Sequence, residues 1–148
     1  MPYVDAEYTA VTSPSTTQAA RDRTLAVNLP PIALSAGRAR EFVRLSLQSF
    51  GLPDAALADR VTLVASELVT NAVLHARTDL VVRLSADHTD VLLEVSDGGP
   101  LHDTPATCAP LATSGRGLVL VDAVADDWGM TGIDGGLGKT VWARVSAI

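Results

Sequence analysis

The stretch SELVTNAVLHA, Ser66 to Ala76, sets a carboxylate at Glu67, an amide at Asn71 and an imidazole at His75, each four residues from the next. Side chains at that spacing lie along one face of a helix. Beside them Val61, Val64, Leu68, Ala72 and Ala76 form an apolar stripe, the expected buried seam of an amphipathic helix. Polar groups so close to a buried seam are costly unless something satisfies them. The polar line is either a solvated helix edge or the lining of a site, and the surrounding sequence has to decide between them.

Outward from this stretch the chain divides into short periodic blocks. Asp54, after Pro53, can cap a helix running from about 55 to 76. Upstream, SAGRAREFVRLSLQSFGL has a helical period through Ala36, Ala39, Phe42, Val43, Leu47 and Phe50, with Gly51 as terminator. Before it, RTLAVNLP alternates Leu25, Val27 and Leu29 and stops at Pro30 and Pro31, which predicts a strand. Residues 1–22 are rich in Thr, Ser and Ala without a sustained period, and are expected to be a flexible N-terminal tail. That leaves 23–148 as a single domain.

Downstream, Leu80, Val82 and Leu84 and then Val91, Leu93 and Val95 alternate on either side of a turn near His88 to Asp90, the pattern of a hairpin. From Gly98 to Ser114 no period survives and prolines stand at 100, 105 and 110, so a binding loop or lid is expected. GRGLVLVDAVADDWG predicts a third helix from about 116 to 125, followed by a strand near 127 to 131, a glycine-rich turn and a last strand in KTVWARV. Strand, helix, helix, hairpin, loop, helix, hairpin is the order of an α+β two-layer sandwich. The expected sheet is mixed, mainly antiparallel, and covered on one face by about three helices.

Composition narrows the function classes. A chain of 148 residues with 47% apolar content can bury one core. Its net charge of −6 and the lack of a basic cluster argue against a nucleic-acid face. Ten of the eleven basic residues are arginine, and Lys139 is the only lysine. The single Cys108 rules out an intrachain disulfide and speaks against a cysteine zinc site, so a reducing, cytoplasmic setting is expected. No apolar block resembles a signal peptide or approaches the roughly 18 residues of a membrane span.

Three further motifs carry chemistry. In SDGGP, Asp97 ends an apolar strand and two glycines follow. That is a common turn, but it also suits a carboxylate at a pocket mouth, able to accept hydrogen bonds from an exocyclic amine such as adenine's. In SGRGLVLV, Gly115 and Gly117 precede a helix whose first amides lack intrahelical partners, with Arg116 adding positive charge: an anion site by design, or simply a flexible helix start. This G-x-G follows a loop and not a strand, so a dinucleotide-binding reading fails. GGLGKTVWARV places Ile133 where the first glycine of a P-loop belongs, and a strand follows, so that motif is rejected too.

The order of these motifs resembles the ATP-binding (Bergerat) domain shared by DNA gyrase, the ninety-kilodalton heat-shock chaperone, histidine kinases and MutL-type repair proteins. Within that superfamily the wording of SELVTNAVLHA, GRGLVLVDAVADDWG and GKTVWARV is similar to the free-standing anti-sigma-factor serine/threonine kinases and their actinobacterial relatives, over residues 25 to 146. The resemblance implies ATP and Mg²⁺ as ligands. Asn71 would hold the metal and Glu67 would be the general base, while His75 could touch phosphate or simply pack. Asp97 and Gly99 would contact adenine, and Gly115, Arg116, Gly117 and Leu118 would contact phosphates. Thr140 would join the Asp97 network, and Leu101 to Ser114 would form the lid. A sigma factor and an anti-anti-sigma antagonist are the implied partners, with homodimerisation through the first helix and the strand before it. Two departures stand out: the first glycine box has Leu101 where active kinases carry a glycine, and the chain has no dimerisation helix with a phosphoacceptor histidine. A nucleotide-dependent binding module without kinase activity is the alternative.

Overall fold

The computed structural model describes residues 9–10, 23–99, 113–133 and 138–147, with side chains from Leu118 onward in the third of these ranges. Strand β2 (Arg23–Leu29) leads into helix α1 (Leu34–Ser49) and helix α2 (Ala55–His75). The hairpin β3 (Leu80–Ala86) and β4 (Asp90–Asp97) follows, then α3 (Thr113–Val124), β5 (Asp127–Gly132) and β6 (Lys139–Ser146). A two-residue strand β1 (Thr9–Ala10) pairs with Leu25 and Ala26, so a piece of the expected tail belongs to the sheet. It covers part of what would otherwise be an open β2 edge, with its row of unpaired amides and carbonyls.

The sheet is six-stranded in the order β1-β2-β3-β4-β6-β5. Every pairing among the described strands is antiparallel, which corrects the expectation of a mixed sheet. The α+β two-layer arrangement is as expected. Helices α1 and α2 pack side by side, and α2 lies between α1 and α3 while reaching β4 and β6.

Local chemistry explains the element ends. Asp54 caps α2 by accepting from the Ala56 amide at 3.1 Å. Helix α1 closes at Gly51, whose φ of 77° is the left-handed conformation that lets Leu52 N–H reach the Leu47 carbonyl at 2.9 Å. Asp87 organises the β3–β4 turn, its Oδ1 accepting from the amides of Thr89 (2.8 Å) and Asp90 (3.0 Å).

One core fills the space between the layers. Ala39, Phe42, Val43 and Leu47 come from α1, Phe50 from its C-cap, and Val61, Val64, Leu68 and Ala72 from α2. They meet Val27, Leu29, Leu80, Val82, Leu84, Val91, Leu93 and Val95 and, from β6, Val141, Ala143 and Val145. The α2 seam is therefore the one its periodicity indicates, except that Ala76, past the helix end, is only half-buried. Glu67 and Asn71 flank that seam and are half-buried, and His75 is exposed.

Candidate functional site

The last rungs of the β4–β6 ladder fix one end of the site. Asp97 faces Lys139 and Ser96 faces Thr140. Side chains alternate between the two faces of a strand, so residues paired across the ladder share a face and their neighbours take the other. Val95 and Val141, both buried, point to the helices, and so do Asp97 and Lys139. Lys139 Nζ lies 2.9 Å from Asp97 Oδ1 with the two side chains 8% and 1% exposed. The Gly99 amide donates to the same oxygen at 2.8 Å.

Thr140 lies on the opposite face. Its hydroxyl is 2.7 Å from that of Ser96. The expected link between Thr140 and Asp97 is thus replaced: Lys139 is the β6 residue that reaches the carboxylate. The signal was present in the sequence, because a strand whose Val141 and Val145 point inward must also turn Lys139 inward and Thr140 outward.

Two glycines make this end possible. A Cβ on Gly138 would stand 2.4 Å from the Asp97 carbonyl oxygen, and one on Gly99 would stand 3.0 Å from the Ala76 Cβ. The chain after β4 therefore lies directly against the end of α2. The Gly98 amide is held there by Thr78 Oγ1 at 2.8 Å.

From this corner a cavity of about 300 Å³ opens between sheet and helices. Its walls are Leu68, Ala72, Val95, Leu118, Met130 and Val141, and its polar groups are Asn71, His75, Asp97 and Lys139. An apolar slot with a few convergent polar groups is the usual form of a small-molecule site. Asn71 and His75 of the opening stretch thus share one cavity with Asp97. Glu67 lies one helical turn before Asn71, outside the lining, and among the described residues it makes no hydrogen bond or ion pair.

Helix α3 begins at Thr113, three residues before its expected start, so Gly115, Arg116 and Gly117 lie inside its first turns and not ahead of it. The Leu118 amide is then an interior one of the helix, and the groups free for an anion are those at the very start. Leu118 meets the cavity through its buried side chain. Trp128 fixes α3 to β5 by donating from Nε1 to Asp122 Oδ1 at 2.9 Å. The expected lid from Leu101 lies outside the described residues as far as residue 112. Sequence reasoning missed Lys139 and also Met130, whose place opposite Val141 brings it to the cavity.

The sequence from 31 to 145 matches the model of the histidine kinase-like ATPase domain. The chain belongs to that family. A solved structure with a similar fold is that of the RsbU and RsbW domains of Rv1364c from Mycobacterium tuberculosis. It matches with a TM-score of 0.61 and 21% identity over 82% of this chain and 32% of that one. This chain spans about a third of that protein, and the likeness bears on the fold. No curated protein matches the sequence. Among the described residues no helix is long and apolar enough to cross a membrane.

The cavity's residues suit the nucleotide that membership of an ATPase family implies. Apolar walls accept a flat ring, and Asp97 presents a buried acceptor at the end of the cavity. No cluster of three acidic, histidine or cysteine residues capable of holding a metal alone occurs among the described residues. An ion there would have to be held mainly by a ligand's own oxygens, and the Asn71 amide oxygen on the cavity wall is a hard donor that could join them.

Proposed function

We propose that this domain is an ATP-dependent protein serine/threonine kinase of the anti-sigma-factor type. It phosphorylates an anti-anti-sigma antagonist and, in the alternative complex, sequesters a sigma factor. The observation that carries the reading is the meeting of Asn71 and Asp97 in one apolar-walled cavity, with Glu67 a turn before Asn71 on the same helix. The RsbW domain in the similar solved structure and the resemblance in the motifs point the same way.

Each residue has a distinct task. Asp97 accepts from the exocyclic amine of adenine, and Gly99 lets the base lie against the chain. Asn71 Oδ1 would hold Mg²⁺ as a hard oxygen ligand, and the ion would supply neutralisation of phosphate charge. The free amides at the very start of α3, from Thr113 to Gly115, would receive the phosphates. His75, at the exposed end of the polar line, supports that phosphate end. Glu67 takes the proton from the attacking serine or threonine hydroxyl as its oxygen bonds to the γ-phosphorus and ADP departs. Catalysis is then mostly positioning and charge neutralisation.

The test uses γ-labelled ATP and a candidate antagonist. The wild-type protein should label the antagonist, and Glu67→Ala should reduce the rate by about 100-fold or more while calorimetric affinity for Mg-ATP stays within threefold. Equal labelling by the variant would reject Glu67 as the base. A second reading, a nucleotide-dependent binding module, is favoured by one observation: Glu67 lies outside the cavity lining and nothing described orients its carboxylate. Mg-ATP binding without transfer by the wild-type protein would select that reading.

A further inference from the structure

We propose that Lys139 is a base-reading residue of this site, donating a hydrogen bond from Nζ to the ring nitrogen beside the exocyclic amine of the bound adenine. The inference rests on the nucleotide-site reading above and assigns a role to a side chain which that reading leaves without one.

The geometry points to it in three steps. Lys139 is buried, lines the cavity and sits at the same corner as Asp97, 2.9 Å from its Oδ1. An ammonium group has three donors, and among the described residues one of them is used, on that oxygen. The remaining N–H groups belong to a side chain only 8% exposed, on a cavity whose lining is mostly apolar, where unmet donors are costly and a ligand acceptor is favoured.

The carboxylate shows the complementary arrangement. Both described contacts of Asp97, from Lys139 and from the Gly99 amide, fall on Oδ1. Oδ2 is the acceptor left for a ligand. The corner therefore presents an acceptor and a donor side by side. The matching edge on a ligand is a donor next to an acceptor. Adenine carries two such edges, the 6-amino group beside N1 and the same group beside N7; Lys139 is assigned to N1, and weaker binding of 7-deaza-ATP without weaker binding of 1-deaza-ATP would overturn that assignment. A hydrogen bond from a charged donor contributes about 1.5–3 kcal/mol, or about 10- to 100-fold in affinity.

A purely structural ion pair is the competing role, in which Lys139 only neutralises Asp97. The two roles separate when N1 is removed from the ligand instead of Lys139 from the protein. Calorimetry with the whole chain would compare Mg-ATP with Mg-1-deaza-ATP, in which N1 is a C–H group. The wild-type protein should bind the deaza analogue about 10- to 100-fold more weakly. Lys139→Met should bring that ratio below about threefold, and Lys139→Gln, which keeps an N–H donor, should retain part of it. Equal affinity of the wild-type protein for the two nucleotides overturns the assignment without recourse to any variant. A ratio unchanged in Lys139→Met, with both affinities lowered together, overturns it in favour of the structural pair. Failure of the wild-type protein to bind either nucleotide at millimolar concentration rejects the nucleotide site itself, and the assignment with it.

Discussion

The two ends of the cavity are built differently. At the sheet end, Asp97 and Lys139 are buried, paired with each other and held by the final rung of an antiparallel ladder. At the helix end, Glu67 and Asn71 are half-buried, His75 is exposed, and among the described residues none of the three has a polar partner. A ladder rung sets side-chain position through backbone hydrogen bonds on both strands, whereas a helix flank leaves each side chain to find its own rotamer. The sheet end is preorganised before any ligand arrives. On the proposed reading, the helix end would gain its order from the charged, hydrated ligand that its polar groups face.

That contrast can be broken by experiment, and the largest effect should come from the sheet end. Asp97→Ala leaves the Lys139 ammonium buried without its partner, which should destabilise the domain by about 3–5 kcal/mol in urea unfolding. Asn71→Ala, at the helix end, should cost less than about 1 kcal/mol by the same measurement while abolishing magnesium-dependent nucleotide binding. Comparable stability losses in the two variants would erase the distinction. A middle-sized effect belongs to Gly99→Ala. Its Cβ would press on Ala76 at 3.0 Å, so about 1–3 kcal/mol of stability and most of the nucleotide affinity should go together. Affinity retained in that variant would mean that the chain beside Gly99 does not contact the base. The smallest effect is expected for Thr140→Val, which removes one half-exposed hydroxyl contact with Ser96 on the far face of the sheet. About 1 kcal/mol or less should be lost, with Mg-ATP affinity unchanged. A tenfold weaker affinity would return Thr140 to the adenine network.

The same contrast explains what could be read from the sequence. Helix α2 was legible nearly to the residue because its seam, its Asp54 cap and its length all agree, and Val61, Val64, Leu68 and Ala72 are buried as their spacing demands. The β3–β4 hairpin was legible for a similar reason, since both arms alternate cleanly around Asp87. The start of α3 was not. Gly115 and Gly117 are poor helix formers and argue for a later beginning, yet the helix runs from Thr113. Packing of the following apolar turns against α2 outweighs that local preference. Strand β1 has only two residues, too few to show a period, and its pairing depends on an exposed β2 edge that no local pattern records.

Thr140 illustrates a different limit. A resemblance matched by motif wording can slip by one position, and in a strand one position is the difference between the two faces of the sheet. The apolar alternation of Val141, Ala143 and Val145 holds the physical information that the wording lacks. Read outward from those buried residues, the inward position at the head of β6 is Lys139.

Lysine occurs once in the 148 residues, and that one lysine sits in the corner of the cavity. Isotope enrichment confined to the lysine ε-carbon would therefore light a single side-chain resonance in the whole molecule, already located at the point of interest. The spectrum would need no assignment, and a titration with any small molecule could be followed at the Lys139 ε-carbon alone.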